Sequence, residues 1–68
     1  MRYEVRYSDN GVVQDEVIAE GPLADCRMDR DEQNEQDKHD RASGRVADGM
    51  VAVVVSIAED GTVAVIDK

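Results

Sequence analysis

Residues 50–58, MVAVVVSIA, form the longest apolar run in the chain and constrain its fold more than any other segment. In an extended strand, successive side chains point to opposite faces of the sheet. Both the odd and the even positions of this run are almost entirely apolar, so both faces of the strand need cover, which is typical of a central strand. The run is also far shorter than the ~20 residues that span a bilayer.

A second apolar run, TVAVI at 62–66, follows the turn signal Glu59-Asp60-Gly61. It is again mostly apolar on both faces, and no breaker interrupts either run. The two runs therefore predict a hairpin over 50–66.

The N-terminal segment predicts another hairpin, over 1–20. RYEVRY at 2–7 alternates apolar and charged residues, as a half-buried strand does. The Asn10-Gly11 pair that follows indicates a tight turn, because both residues tolerate positive φ. VVQDEVIAE at 12–20 alternates less cleanly, so we expect a return strand that is bulged or lies at an edge.

A helix is predicted over 22–43, between the hairpins. Pro22 suits the first position of a helix, where its missing N–H costs nothing, and Gly44 suits the residue after the end. Yet DRDEQNEQDKHDR, residues 29–41, contains no apolar side chain. We therefore expect the first two turns to dock on the sheet and the remainder to run through solvent or fray. A short helix followed by a mobile polar segment is the alternative.

The predicted fold is α+β, a four-stranded antiparallel sheet built from two hairpins with one polar helix between them, in the order ββαββ. Sixty-eight residues allow one small domain, over 1–68. A core of this size supplies roughly 3–5 kcal/mol, so small domains often depend on a staple or a second chain. The lone cysteine, Cys26, excludes an intrachain disulfide, and Cys26 with His39 falls short of a zinc ligand set.

The charge composition is unusual. Sixteen Asp and Glu stand against eight Lys and Arg, for a net charge of −8, and only two of the basic residues are lysines. One Leu and no Phe or Trp stand against eleven Val and seven Ala. Over its whole length, this composition resembles that of cytoplasmic proteins from extreme halophiles. At molar salt the Debye length is about 3 Å, so repulsion between carboxylates is screened. An ordinary acidic mesophilic protein is the alternative.

The helix offers too little apolar surface to cover the second hairpin, which is mostly apolar on both faces. Leaving three or four Val or Ile side chains in water forfeits on the order of 1.5–3 kcal/mol each, comparable to the stability of the whole domain. A second copy, packed sheet on sheet or strand beside strand about a two-fold axis, is the simplest cover. We therefore predict a homodimer whose candidate interface comprises Val51, Val53, Val55, Ile57, Val63 and Val65. A monomer whose bulges and terminal residues hide the surplus is the alternative.

The acidic residues suggest a calcium loop but match one poorly. A loop starting at Asp29 would place Asp31, Gln33 and Asp40 at further ligand positions, but Asn34 stands where the loop needs Gly and the last ligand is Asp instead of Glu. In an acidic chain such partial matches arise by chance. No metal site and no cofactor are predicted.

Catalytic residues are not predicted either. A Cys–His nucleophile would need Cys26 beside His39, but on one helix the two would lie about 20 Å apart. Cys26 is interpreted as a small buried side chain at the contact between helix and sheet, and His39 as a surface residue. The chain is therefore expected to be non-catalytic.

Two other functions stay open. The chain could be an acidic inhibitor that imitates nucleic acid and blocks a basic site, or a subunit whose apolar sheet docks on a different protein. Cations interrupt the acidic stripe of the helix, which disfavours mimicry, and the negative charge disfavours direct nucleic-acid binding. The N-terminal MRYEVRYS lacks the apolar segment of a signal peptide, so we expect a soluble cytoplasmic protein without membrane contact.

Overall fold

A computed structural model describes residues 1–67 of the chain. Four strands and one helix follow in the order ββαββ: β1 (Arg2–Asp9), β2 (Val12–Gly21), α1 (Leu23–Ala42), β3 (Met50–Ile57) and β4 (Val63–Asp67). The strands form one sheet in the order β2-β1-β3-β4, and all neighbours are antiparallel. The predicted α+β fold is confirmed.

The turn of the first hairpin lies where the sequence predicts it. Asn10 and Gly11 both have positive φ, at 51° and 90°, and Asp9 pairs with Val12 across the turn. The backbone N–H of Asn10 donates to the carbonyl oxygen of Gly49, 3.0 Å away, which ties the turn to the chain entering β3. A two-residue turn with two positive φ angles matches the right-handed twist of the strands that it joins.

Strand β2 lies at one edge of the sheet and is irregular, as its sequence predicts. Its pairing with β1 shifts register twice, between Val5 and Arg6 and between Arg6 and Ser8. Such irregularities bend a strand and interrupt its row of backbone hydrogen bonds. β3 lies between β1 and β4, so the prediction that the MVAVVVSIA run forms a central strand is also confirmed.

Helix α1 is continuous through the polar stretch 29–41. It begins at Leu23, one residue later than predicted, because Pro22 is its N-cap residue, whose carbonyl oxygen accepts the N–H of Cys26 at 3.0 Å. The helix ends at Ala42, and Gly44 follows with a φ of 80°, the left-handed conformation common just after a helix. The expectation that the second half would run through solvent or fray is wrong, because polar side chains attach it to the sheet.

The core consists of two clusters on opposite faces of the sheet. Between sheet and helix, Val5, Cys26, Ala52 and Val54 are completely buried, and Tyr3, Tyr7, Ile18, Ala19 and Leu23 pack around them. On the face opposite α1, hereafter the open face, Val53, Val55 and Ile57 form a second buried cluster with Val13 packed against it. The prediction that Cys26 is buried at the contact between helix and sheet is confirmed.

Candidate interaction surface

The six residues predicted as an interface all lie on the open face. Alternation along β3 puts Val51, Val53, Val55 and Ile57 on one face, and the register aligns Val55 with Val65 and Ile57 with Val63. Their burial divides them into two sets. Val53, Val55 and Ile57 are buried within the single chain, whereas Val51, Val63 and Val65 are 41%, 39% and 39% exposed.

An ion pair on β1 helps to bury the three valine and isoleucine side chains in the middle of the open face, Val53, Val55 and Ile57. Glu4 lies opposite Val55 in the register and Arg6 lies opposite Val53, so both side chains lie on the open face. The Nε and Nη2 atoms of Arg6 lie 2.9 Å and 2.8 Å from Oε1 of Glu4, and Glu4 is only 4% exposed. A buried carboxylate needs such a partner, because an unpaired charge there would be very costly. The alternation of RYEVRY correctly predicts the face of these residues but not their burial.

Three further exposed apolar side chains lie on β4, whereas Met1, Val12, Val17 and Met28 are exposed elsewhere. Val63 and Val65 project onto the open face, and Ile66 is 41% exposed at the end of the strand. Helix α1 packs on β1, β2 and β3 and leaves β4 uncovered. Beside β4, an apolar groove of about 250 Å³ is lined by Ser8, Gly11, Gly49, Val51, Val53 and Val65.

The hydrogen-bonding pattern shows which backbone groups of β4 are free. The N–H of Ala58 donates to the carbonyl oxygen of Thr62 at 3.0 Å. Two residues further into the pairing on each strand, Ser56 lies opposite Ala64. In an antiparallel ladder, hydrogen-bonded and non-hydrogen-bonded pairs alternate. Thr62 and Ala64 therefore direct their backbone groups toward β3. Val63 and Val65 direct theirs outward, at the edge of the sheet.

The first half of β3 reaches beyond β4, but α1 closes this part of the edge. Pairing with β4 ends at Val54, so Ala52 has no strand partner on that side. The side-chain amide of Asn34 takes the place of a strand partner. Its Oδ1 accepts the N–H of Ala52 at 2.9 Å, and its Nδ2 donates to the carbonyl oxygen of Ala52 at 3.1 Å. The guanidinium of Arg41 donates to the carbonyl oxygen of Met50. The exposed edge on this side is therefore β4 itself.

A buried carboxylate attaches the middle of α1 to β1. Asp37 is 2% exposed, and its two oxygens accept hydrogen bonds from the Tyr7 hydroxyl at 2.8 Å and the Gln33 amide at 2.9 Å. Burial, together with the neighbouring Asp37, raises the pKa of Tyr7 to about 12. These contacts fix the helix on the sheet and do not face an open cavity.

The pattern-based interpretation of 29–41 missed all of these contacts. Counting three or four residues along the helix from Cys26 leads to Gln33, Asn34, Asp37 and Arg41, so they continue its sheet-facing stripe. The available sequence signal for docking was the pair of neutral amides on this stripe, Gln33 and Asn34, within a densely charged segment.

The side chains considered for catalysis are not arranged for it. Cys26 is fully buried, and its Sγ donates to the carbonyl oxygen of Gly21 at 3.5 Å. Burial and the nearby carboxylates Asp29 and Asp25 raise the pKa of the thiol, which favours the unreactive protonated form. His39 is exposed, near the other end of the helix. Among the side chains of residues 1–66, no three His, Cys, Asp or Glu group closely enough to hold a metal ion.

Comparison with protein-family models, with curated proteins and with solved structures finds no match for this chain. Within the part of the chain that the structure describes, no helix has the length and apolar character needed to cross a membrane.

Proposed function

We propose that the protein is a small non-catalytic interaction module that acts as a homodimer in a salt-rich cytoplasm. The observation that carries the proposal is the cluster of exposed apolar side chains at β4 and the adjoining start of β3. Val51, Val63, Val65 and Ile66 are each about two fifths exposed, at 41%, 39%, 39% and 41%.

The size of this surface supports association. Full burial of a Val or Ile side chain is worth about 1.5–3 kcal/mol, so the exposed two fifths represent roughly 1 kcal/mol at each of the four positions. Their sum is comparable to the roughly 3–5 kcal/mol that a core of this size supplies. A partner that covers the cluster would therefore change the stability of the domain substantially.

The charge of the chain supports a role for salt. Two copies at −8 each repel one another at low ionic strength, and the repulsion is longest in range where salt is scarce. At molar salt the Debye length of about 3 Å confines this repulsion to close neighbours. The exposed cluster contains no charged residue, so copies that meet there keep their carboxylates in solvent.

The test is the molar mass by light scattering, at micromolar protein concentration, in molar KCl and in about 0.1 M KCl. We expect a mass near twice 7.5 kDa in molar KCl. In the dilute buffer we expect a smaller mass and a reduced far-ultraviolet circular-dichroism signal. A monomer mass in molar KCl would overturn the homodimer. An unchanged circular-dichroism signal in the dilute buffer would overturn the adaptation to salt.

A further inference from the structure

Within the proposed homodimer, we infer that the two copies join edge to edge through β4. The two strands run antiparallel about a two-fold axis at Ala64, so that two four-stranded sheets become one sheet of eight strands. This inference rests on the proposed function and specifies the surface and the register of the contact. Four observations carry it.

The first observation is the free backbone of β4. Val63 and Val65 direct their N–H and C=O groups outward, two residues apart, as argued from the Ala58–Thr62 hydrogen bond. Placing Val63 opposite Val65 of a second copy, and Val65 opposite its Val63, forms two reciprocal hydrogen-bonded pairs. Ala64 then lies on the axis, opposite its own counterpart in a non-hydrogen-bonded pair.

The second observation is the distribution of side chains along β4. Opposed residues in an antiparallel pair project from the same face of the sheet. The proposed register therefore sets valine against valine on the open face and extends the apolar row that runs from β3 across β4. On the helix side it sets the small Ala64 against Ala64, which lets the backbones approach. A register centred on Val65 would instead bring Asp67 opposite Val63.

The third observation is that the other places for strand addition are unsuitable. Strand β2 carries Asp15, Glu16 and Glu20 and is interrupted by two register shifts, so its self-pairing would oppose like charges on a bent strand. The start of β3 is closed by the amide of Asn34. β4 remains as an uncharged edge that pairs regularly with β3 from Val63 to Val65, before the register shift that follows Val65.

The fourth observation is the local charge. Residues 61–66, GTVAVI, contain no ionisable side chain in a chain with sixteen acids. Natural edge strands are commonly protected by charges or by proline, and β4 has neither between Val63 and Ile66. For two acidic copies, this edge offers the approach with the least repulsion.

Disulfide trapping tests the register. In a Cys26→Ala background, Ala64→Cys places two thiols across the axis, where Cα atoms of a non-hydrogen-bonded pair lie about 4.5 Å apart, within the range for a disulfide. We expect Ala64→Cys to form a covalent dimer in molar KCl under mild oxidation. The matched variant Thr62→Cys should stay largely monomeric on a non-reducing gel, because its counterpart is Ile66. Prominent cross-linking of Val65→Cys instead would overturn the register.

Cys26 is a core residue, so its replacement could itself impair folding. The same Ala64→Cys substitution is therefore also made with Cys26 retained, and peptide mapping by mass spectrometry identifies the linked residues. A disulfide joining two copies at position 64 supports the inference. A dimer linked through Cys26 would overturn it.

Proline substitution tests the edge independently. The N–H of Val65 points away from β3, so Val65→Pro keeps the β3–β4 ladder and removes a donor from the proposed contact. We expect at least a tenfold weaker dimer with a retained circular-dichroism spectrum. Val17→Lys, a control at an exposed position of the opposite edge strand β2, should leave the dimer intact. Dissociation by a third variant, Val51→Lys on the open face, but not by Val65→Pro would show face-to-face packing and overturn the inference.

These outcomes separate the two proposals. A wild-type monomer in molar KCl overturns both the homodimer and the edge contact. A wild-type dimer that neither cross-links at position 64 nor responds to Val65→Pro overturns the edge contact and leaves the homodimer standing.

Discussion

The hydroxyl of Tyr7 donates a 2.8 Å hydrogen bond to Oδ2 of Asp37, and this contact joins β1 to the polar half of α1 across thirty residues of sequence. Gln33, one helical turn before Asp37, donates to the other carboxylate oxygen at 2.9 Å. Both oxygens of a carboxylate that is almost completely buried are thus hydrogen-bonded, as a buried charged group requires. A helix with little apolar surface is held to its sheet by this polar cluster.

The first prediction concerns the loss of this hydrogen bond. Tyr7→Phe leaves Oδ2 of Asp37 buried without its donor. We expect the free energy of unfolding to fall by about 1.5–3 kcal/mol, the range for hydrogen bonds to charged groups. The measurement is urea unfolding in molar KCl at fixed protein concentration. Tyr3→Phe is the matched control, because it removes a hydroxyl beside the same core cluster without touching Asp37. Equal effects of the two substitutions would contradict the prediction.

The second prediction concerns alkaline pH. The pKa of Tyr7 is raised from 10.0 to about 12 by burial first and by Asp37 second. Because the folded state favours the protonated phenol, this contribution to stability is complete below pH 10 and is lost as the pH rises toward about 12. In Tyr3→Phe, absorbance at 295 nm reports Tyr7 alone. We expect its titration midpoint to lie near 12 in the folded protein and near 10 in denaturant. A folded-state midpoint near 10 would contradict the raised pKa.

The third prediction concerns Asn34, whose amide satisfies both backbone groups of Ala52. Asn34→Ala leaves these groups unpaired, so we expect a loss of about 1–3 kcal/mol and faster hydrogen exchange at the amide of Ala52. Asn34→Asp keeps the shape of the asparagine side chain, but at neutral pH it has no donor for the carbonyl oxygen of Ala52. It should regain stability relative to the wild type as the pH falls, because a protonated carboxyl donates again. Gln36→Ala, at an exposed helix position, is the control and should change neither quantity.

The fourth prediction concerns the close approach of Gly49 to the first turn. A Cβ added to Gly49 would lie 2.4 Å from Oδ1 and 2.7 Å from Cγ of Asn10. Because the clashing atoms belong to the exposed side chain of Asn10, which can rotate away, Gly49→Ala should cost less than the roughly 1–3 kcal/mol of overpacking in a core. Asn10→Gly removes the obstructing side chain and keeps a residue that accepts positive φ. The double variant should recover most of the loss, and a double-mutant cycle measures the coupling. Strictly additive losses would contradict the steric explanation.

The sequence alone is sufficient to predict most of the fold, because the signals that carry it are local. Asn10-Gly11 specifies a two-residue turn, and the alternation of RYEVRY specifies which side of β1 faces the core. The run at 50–58 is apolar on both faces of the strand, which requires a central position in the sheet. Each of these inferences needs a few consecutive residues and no knowledge of their spatial neighbours.

The errors arise where burial depends on residues far apart in sequence. The attachment of 29–41 depends on Tyr7 and Ala52, which approach α1 only once the sheet has formed. The burial of Val53 and Val55 depends on β1 being their neighbour, because Glu4 and Arg6 come from that strand. A scan for apolar residues cannot detect a helix that docks through amides and a carboxylate. It therefore overestimated the apolar surface left for a second chain.

The unequal edges of the sheet also limit how large an assembly can become. Within residues 1–67, β2 is bent and acidic, whereas β4 pairs regularly from Val63 to Val65 and is uncharged from Val63 to Ile66. A molecule with one pairable sheet edge can pair with only one other chain, so the chain that pairs with β4 ends the growth of the assembly. For the proposed edge contact, the stoichiometry is thereby self-limiting, and the strand addition that would otherwise propagate into a filament stops at the first step.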